Sequence, residues 1–198
     1  MTLKIALTGA ARSGKGEVER ILCEDYGFTA FAFASGVKDG FHKENPHIPR
    51  HPKPRRGYIL YGQYKRYTHG EDYWIREVFN KIYDEQRRRA ALALAPLFPV
   101  LGDVRQRNEY DRCRAEGYTI IRVEADDVTR LERMRAAGDR FNIDDLKHDT
   151  ETQLDAFEAD YVINNGAGVT LDDLKRQVDA IMGELITQSK RVGAGRVR

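Results

Sequence analysis

Cysteine, tryptophan, net charge and long hydrophobic runs are all scarce in this sequence. No apolar stretch approaches the eighteen or so residues that cross a bilayer, so no membrane partner is expected. Cys23 and Cys113 are the only cysteines, too few for a disulfide framework, and the opening residues do not read as a secretory leader, so none is expected. Residues 1–4 run straight into an apolar segment that reads as the first strand of a fold. A reducing, cytoplasmic setting is therefore expected. The 33 Lys and Arg residues nearly cancel the 31 Asp and Glu residues, leaving a formal charge of +2. That balance produces no overall field for nucleic acid, so such a partner is not expected and any anion must be bound locally. The histidines at 42, 47, 51, 69 and 148 show no tight ligand spacing and are assigned no metal.

What the chain does have is a globular balance: 198 residues, 41% hydrophobic and 32% charged, enough for one full core. Residues 4–7, 28–33, 98–101, 119–123 and 161–163 are apolar on consecutive positions, as strands buried on both faces are. Between them, 17–26, 71–94, 107–116, 128–137 and 171–186 repeat apolar residues at three- and four-residue spacing, the mark of a helix packed on a sheet. This order predicts a three-layer α/β/α domain over residues 1–190 with a five-stranded parallel sheet, whose ligands sit at the carboxyl ends of the strands. Residues 42–56 hold four of the six prolines and read as an exposed loop, and residues 191–198 read as a flexible basic tail.

The strongest motif follows the first strand: Gly9-Ala10-Ala11-Arg12-Ser13-Gly14-Lys15-Gly16-Glu17, opening a helix. Its spacing is that of a P-loop, in which small residues let successive backbone N–H groups wrap a phosphate and the helix dipole points at it. Gly9, Ala11, Arg12, Ser13, Gly14, Lys15, Gly16 and Glu17 are therefore the candidate nucleotide-binding residues, with Lys15 on the β and γ oxygens. Position 16 departs from the common pattern, which has Ser or Thr there to hold magnesium directly. Glu17 offers no hydroxyl either, so Mg2+ is expected to be held through waters and phosphates. Glu17 is also the first-turn acid that a helix dipole favours.

The third strand ends in Gly102-Asp103-Val104-Arg105, which sets an acid and a base at the carboxyl edge. Phosphoryl transfer needs charge neutralisation and an oriented acceptor more than covalent help. Asp103 is the candidate for orienting the acceptor or holding magnesium through water; the alternative is a helix cap. Arg105 is the candidate for the acceptor phosphate; the alternative is a surface pair with Glu109.

With those motifs in place, the chain resembles the tailed-phage deoxynucleoside monophosphate kinases of the P-loop nucleoside and nucleotide kinase superfamily. The resemblance rests on residues 9–15, on Phe31-Ala32-Phe33-Ala34 leading to Lys38, on residues 70–76, on Gly102 to Arg105 followed by Asn108-Glu109, and on Asp160 to Asn165 followed by 171–178. It implies ATP- and Mg2+-dependent phosphorylation of a deoxynucleoside monophosphate, in a host cytoplasm if the chain is phage-encoded. It also implies a helical acceptor-binding insertion over about residues 35–95 and a short lid over about 130–150. Lys38, Arg66, Trp74, Arg76, Asp103 and Arg105 are then the candidate acceptor-binding residues, and Lys15, Asp103, Arg130 and Arg140 the candidate catalytic ones, with Arg133 beside them. Alternatives stay open: Trp74 and the tyrosines at 58, 61 and 64 as packing residues, and the lid arginines as a charged helix face. At the level of function the alternatives are a kinase of modified bases in DNA, another small-molecule kinase such as dephospho-coenzyme-A kinase, and a nucleotide-binding module without turnover. A homodimer also stays open.

Overall fold

The computed structural model describes residues 2–51, 54–137 and 156–194. Five strands, β1 (Ile5–Thr8), β2 (Thr29–Phe31), β3 (Pro99–Val104), β4 (Thr119–Glu124) and β5 (Tyr161–Asn164), form one parallel sheet in the order β2-β3-β1-β4-β5. The helices are α1 (Lys15–Tyr26), α2 (Phe33–Glu44), α3 (Arg55–His69), α4 (Tyr73–Ala91), α5 (Arg107–Ala115), α6 (Asp127–Ala136) and α7 (Leu171–Ala194). The predicted three-layer α/β/α architecture is the one found. Two compact units divide it: Met1–Ala30 with Leu97–Arg198, and Phe31–Pro96.

In the first unit, β1 is buried along its whole length, between β3 and β4. Pleating sends Ile5 and Leu7 to one face, where they join Ile121, Val123 and Ile163 under Val18 and Leu22 of α1 and Val178 and Met182 of α7. Each of these side chains, fully removed from water, contributes about 1.5–3 kcal/mol. Ile5 pairs with Val100 and Ala6 with Leu101, but Thr8 pairs with Val104. One extra residue thus enters β3 between these pairs, a bulge that contains Gly102 and Asp103. Bulges of this kind re-aim side chains at sheet ends.

The second unit differs from the sequence expectation. Among its described residues three helices are found, where periodicity picked out one, and α2 takes in His42 to Glu44 of the expected loop. Glycines explain the weak signal. A Cβ at Gly36 would lie 3.2 Å from the Trp74 ring, one at Gly40 2.9 Å from the Tyr61 hydroxyl and one at Gly57 2.7 Å from the Phe41 ring. These glycines lower helix propensity but open slots into which aromatic rings pack. His42 is buried, with Nε2 2.7 Å from the Tyr58 hydroxyl and Nδ1 3.2 Å from the Ile48 carbonyl oxygen. α7 runs through Ala194, into the segment expected as a tail; residues 195–198 lie outside the described residues.

Trp74, expected as an acceptor contact, is a core residue of this unit. It is 4% exposed, its Nε1–H donates to the Gly62 carbonyl at 3.1 Å, and its ring meets those of Tyr61 and Tyr73. Neither a free face nor a free donor is left for a base. Trp74→Ala should therefore lower stability by about 3–5 kcal/mol, and Trp74→Phe by clearly less, in urea denaturation followed by circular dichroism.

Candidate active site

The loop between β1 and α1 is held in a strained shape. Gly9 and Gly14 have φ of 137° and 105°, and Arg12, which has a Cβ to accommodate, sits at φ 61°. A left-handed non-glycine residue costs about 1–2 kcal/mol, so something must fix it. What fixes it is a set of cations and an amide on the loop carbonyls. Lys15 Nζ donates to Gly9 O at 2.7 Å and to Ala10 O at 2.8 Å. Arg130 Nε donates to Ala11 O at 2.9 Å, and Arg133 NH1 to Arg12 O at 3.3 Å. Asn165 Nδ2 donates to Ser13 O at 2.8 Å. Five successive carbonyls are thus tethered. In a planar trans peptide the N–H points opposite to the C=O, so each tethered carbonyl also fixes the direction of the next N–H. Gly14 then caps α1 in the left-handed conformation with no side-chain cap, which presents the helix N-terminus to any anion in front of it.

That N-terminus opens on a cavity of about 450 Å³ in the first unit. Arg12 and the stretch from Gly14 to Glu17 line it on the loop side; Gly102, Asp103, Arg105 and Arg133 complete it. The two alternatives weighed for the β3 edge are both resolved by α5. Its N-cap is Gln106, not Asp103. Glu109 accepts from the backbone N–H of Arg105 at 2.9 Å and of Gln106 at 3.0 Å, so it is spent on the capping box and not on the Arg105 guanidinium. Asp103 and Arg105 both line the cavity.

Arg130 does not have the lid position expected of it. It is 6% exposed, anchored to Asp127 at 2.8 Å as well as to Ala11, because α6 starts at the Asp126 cap and delivers its first turn behind the loop. It braces the loop from behind. Asp126 holds the start of α6 by accepting from Thr129 N, Thr129 Oγ1 and Ala167 N, bonds that bring its carboxyl down to about 2. Arg140 and residues 138–150 of the expected lid lie outside the described residues. In the second unit Lys38 is exposed on α2, Arg66 is half-buried on α3, and Arg76 donates to His69 O at 2.7 Å.

Two residues that matter here were not singled out by the sequence. Asn165 is 7% exposed, and a Cβ on Gly14 would overlap its amide nitrogen. The only signal was its place just past an apolar strand, on the edge where ligands bind. Glu19, one turn beyond Lys15, occupies the space that a side chain at position 102 would need, so Gly102 is glycine to admit a carboxylate. Burial, and secondarily the neighbouring Asp103, raises the Glu19 carboxyl above its usual range.

The residues fit a hydrated magnesium ion. Asp103 lines the same cavity as Lys15 and supplies a hard oxygen donor, while Glu17, whose carboxylate accepts from Arg20 Nε at 3.0 Å, and Gly16 give no hydroxyl for inner coordination. Among the described residues no three His, Cys, Asp or Glu side chains converge on one point.

Known structures of the same shape decide the fold. The protein TT1252 from Thermus thermophilus superposes with a TM-score of 0.57 at 19% identity, over 93% of this chain and 98% of that one. A shikimate kinase from Bacteroides thetaiotaomicron gives 0.55 at 13% identity, over 92% and 98%. A shikimate kinase from Aquifex aeolicus gives 0.54 at 14% identity, over 94% and 98%. The fold is that of the P-loop kinases. No family profile matches the sequence, and no curated protein does. At these identities the P-loop kinase likeness is one of fold alone. Among the described residues no helix is long and apolar enough to cross a membrane.

Two predictions follow from the loop and its neighbours. Gly14→Ala should lose nucleotide binding, since both its φ and the Asn165 amide oppose a side chain, whereas Gly16→Ser, with no atom within 4 Å of the new Cβ, should keep the wild-type melting temperature. Thermal melts with and without ATP measure both. Glu19 titrates higher in the folded than in the unfolded chain, so between those two values the folded state holds the extra proton and stability falls as pH rises. Glu19→Gln should thus be more stable than the wild type at about pH 7, with the gain disappearing below about pH 4, where both states are protonated.

Proposed function

We propose that the protein transfers the γ-phosphate of ATP to a deoxynucleoside monophosphate. The observation that carries the phosphotransferase part is the convergence of Lys15, the uncapped start of α1, Asp103 and Arg105 on one cavity. The deoxynucleoside monophosphate is supported by the sequence resemblance set out above, and the P-loop kinase fold is compatible with it.

In the proposed reaction, an oxygen of the acceptor phosphate attacks the γ-phosphorus in line. The bond from that phosphorus to the β,γ-bridging oxygen breaks, and ADP leaves with the electron pair. The loop N–H groups hold the β-phosphate. Lys15, whose ammonium is held on the Gly9 and Ala10 carbonyls, sets its positive charge against the β and γ oxygens while it braces the loop. Asp103 orients the acceptor side, and Arg105 takes charge on the accepting phosphate. Magnesium, when bound, supplies further charge neutralisation on the β and γ oxygens.

The test is ADP release from ATP and Mg2+ with the deoxynucleoside and ribonucleoside monophosphates as acceptors, beside shikimate and dephospho-coenzyme A. Turnover is expected on one or more deoxynucleoside monophosphates, reduced about 100-fold or more by Lys15→Ala. Turnover on another acceptor alone would replace the substrate assignment, and silence on all acceptors despite tight ATP binding would leave a nucleotide-binding module.

A further inference from the structure

From Asn45 through Gly70 the chain contains no Asp or Glu, although these make up 31 of its 198 residues. The same stretch carries Arg50, Lys53, Arg55, Arg56, Lys65 and Arg66, together with four tyrosines. The overall charge of +2 hides this concentration. α3 lies within it, and of the described residues four of the nine exposed large hydrophobics are on this one helix: Ile59, Leu60, Tyr64 and Tyr67. Leu60, Tyr64 and Tyr67 follow i, i+4, i+7 spacing and form a single stripe about 10 Å long. Their exposures are 56%, 58% and 89%, so the tyrosine rings stand in water.

We propose that the outer face of α3 binds single-stranded nucleic acid, with bases stacked on Tyr64 and Tyr67 and phosphates on Arg56 and Arg66. This goes beyond the phosphoryl transfer proposed above and is independent of it. The basic cluster at 87–89, by contrast, is neutralised locally: Arg87 pairs with Asp84, and Arg88 and Arg89 pair with Glu85. On α3, Lys65 is similarly committed to Glu44 at 2.8 Å, and in the preceding loop Arg50 is 3.6 Å from Asp39. Arg56 and Arg66 make no ion pair among the described residues. The nearest acids in sequence, Glu71 and Asp72, come after the helix has ended.

Charge decides between occupants. A second copy of the chain would set one acid-free basic helix against another, whereas a polyanion complements it. The surface also selects an extended ligand, because a helix exterior is convex and small molecules bind in concave sites. Exposed tyrosines favour unpaired bases, whose faces are open to stacking, over a duplex.

Fluorescence anisotropy of a labelled oligothymidylate of about 15 nucleotides, titrated with the full-length protein, tests this. Binding is expected to weaken by about tenfold or more between roughly 50 and 200 mM salt, with a shallower salt dependence in Arg56→Ala. Tyr64→Ala and Tyr67→Ala should each weaken binding about tenfold at fixed salt while leaving circular dichroism and ATP binding unchanged. Lys15→Ala should bind the oligonucleotide like the wild type, which separates this inference from the kinase assignment. No binding, binding indifferent to the tyrosines, equal binding of polyglutamate, or loss of binding in Lys15→Ala would each overturn it. So would capture of the same face by anionic lipid vesicles or by a second copy in sedimentation, without oligonucleotide binding.

Discussion

The tethering of five consecutive loop carbonyls is the constraint on which the site depends. A phosphate-binding loop must point several N–H groups at one place, and a free glycine-rich turn has no reason to do so. Here Lys15, Arg130, Arg133 and Asn165 take the carbonyls of Gly9 through Ser13, and the direction of the amides follows. Three of the four donors come from outside the loop, on α6 and at the end of β5. The strained φ of Arg12 can persist because the carbonyls on either side of it are held. The loop is therefore a product of the tertiary fold as much as of its own sequence.

β1 carries the second dependency. Being central and fully buried, it fixes the height at which the loop leaves the sheet, and its pairing with β3 sets where Asp103 appears. The extra residue in β3 puts Gly102 and Asp103 in a bulge, and Gly102 lacks a side chain because Glu19 of α1 is already there. Two carboxyl groups from two different elements, Glu19 and Asp103, thus come close to one another. Such proximity is destabilising by itself, since each charge raises the cost of the other. It persists because α1 is anchored by Val18, Ile21 and Leu22 in the main core.

The first unit was legible because its signals are local and redundant. Strands buried on both faces read as continuous apolar runs, and the helices that cover them carry clean periodic stripes, so all five strands of the sheet and the four helices α1, α5, α6 and α7 were visible. The P-loop was legible because its glycine spacing has one purpose. The second unit was less so, since Gly36, Gly40 and Gly57 break the helical pattern that they serve by admitting rings. Trp74 illustrates the same limit: its neighbours in sequence resembled an acceptor site, but its environment comes from Gly36, Tyr61 and Gly62, which sequence spacing does not bring together. Asn165 was missed for a related reason. Its role lies in one contact across 152 positions of chain, and an asparagine after a strand carries no periodic mark.

The arginines show how far geometry sorts what sequence leaves equivalent. The cluster at 87–89 is spent on acids one turn away and has little charge to offer a ligand. Arg130 and Arg133 are spent on backbone oxygens, so their guanidinium groups shape the loop, and only Arg133 also reaches the cavity wall. Arg105 is different because a backbone capping box has taken the carboxylate that would have paired with it. Had Glu109 bonded the guanidinium, the cavity would have lost a cation and α5 its cap. One acid thus closes a helix and keeps an arginine available, and the positive charge facing the cavity is set by what the neighbouring acids are doing more than by how many arginines lie nearby.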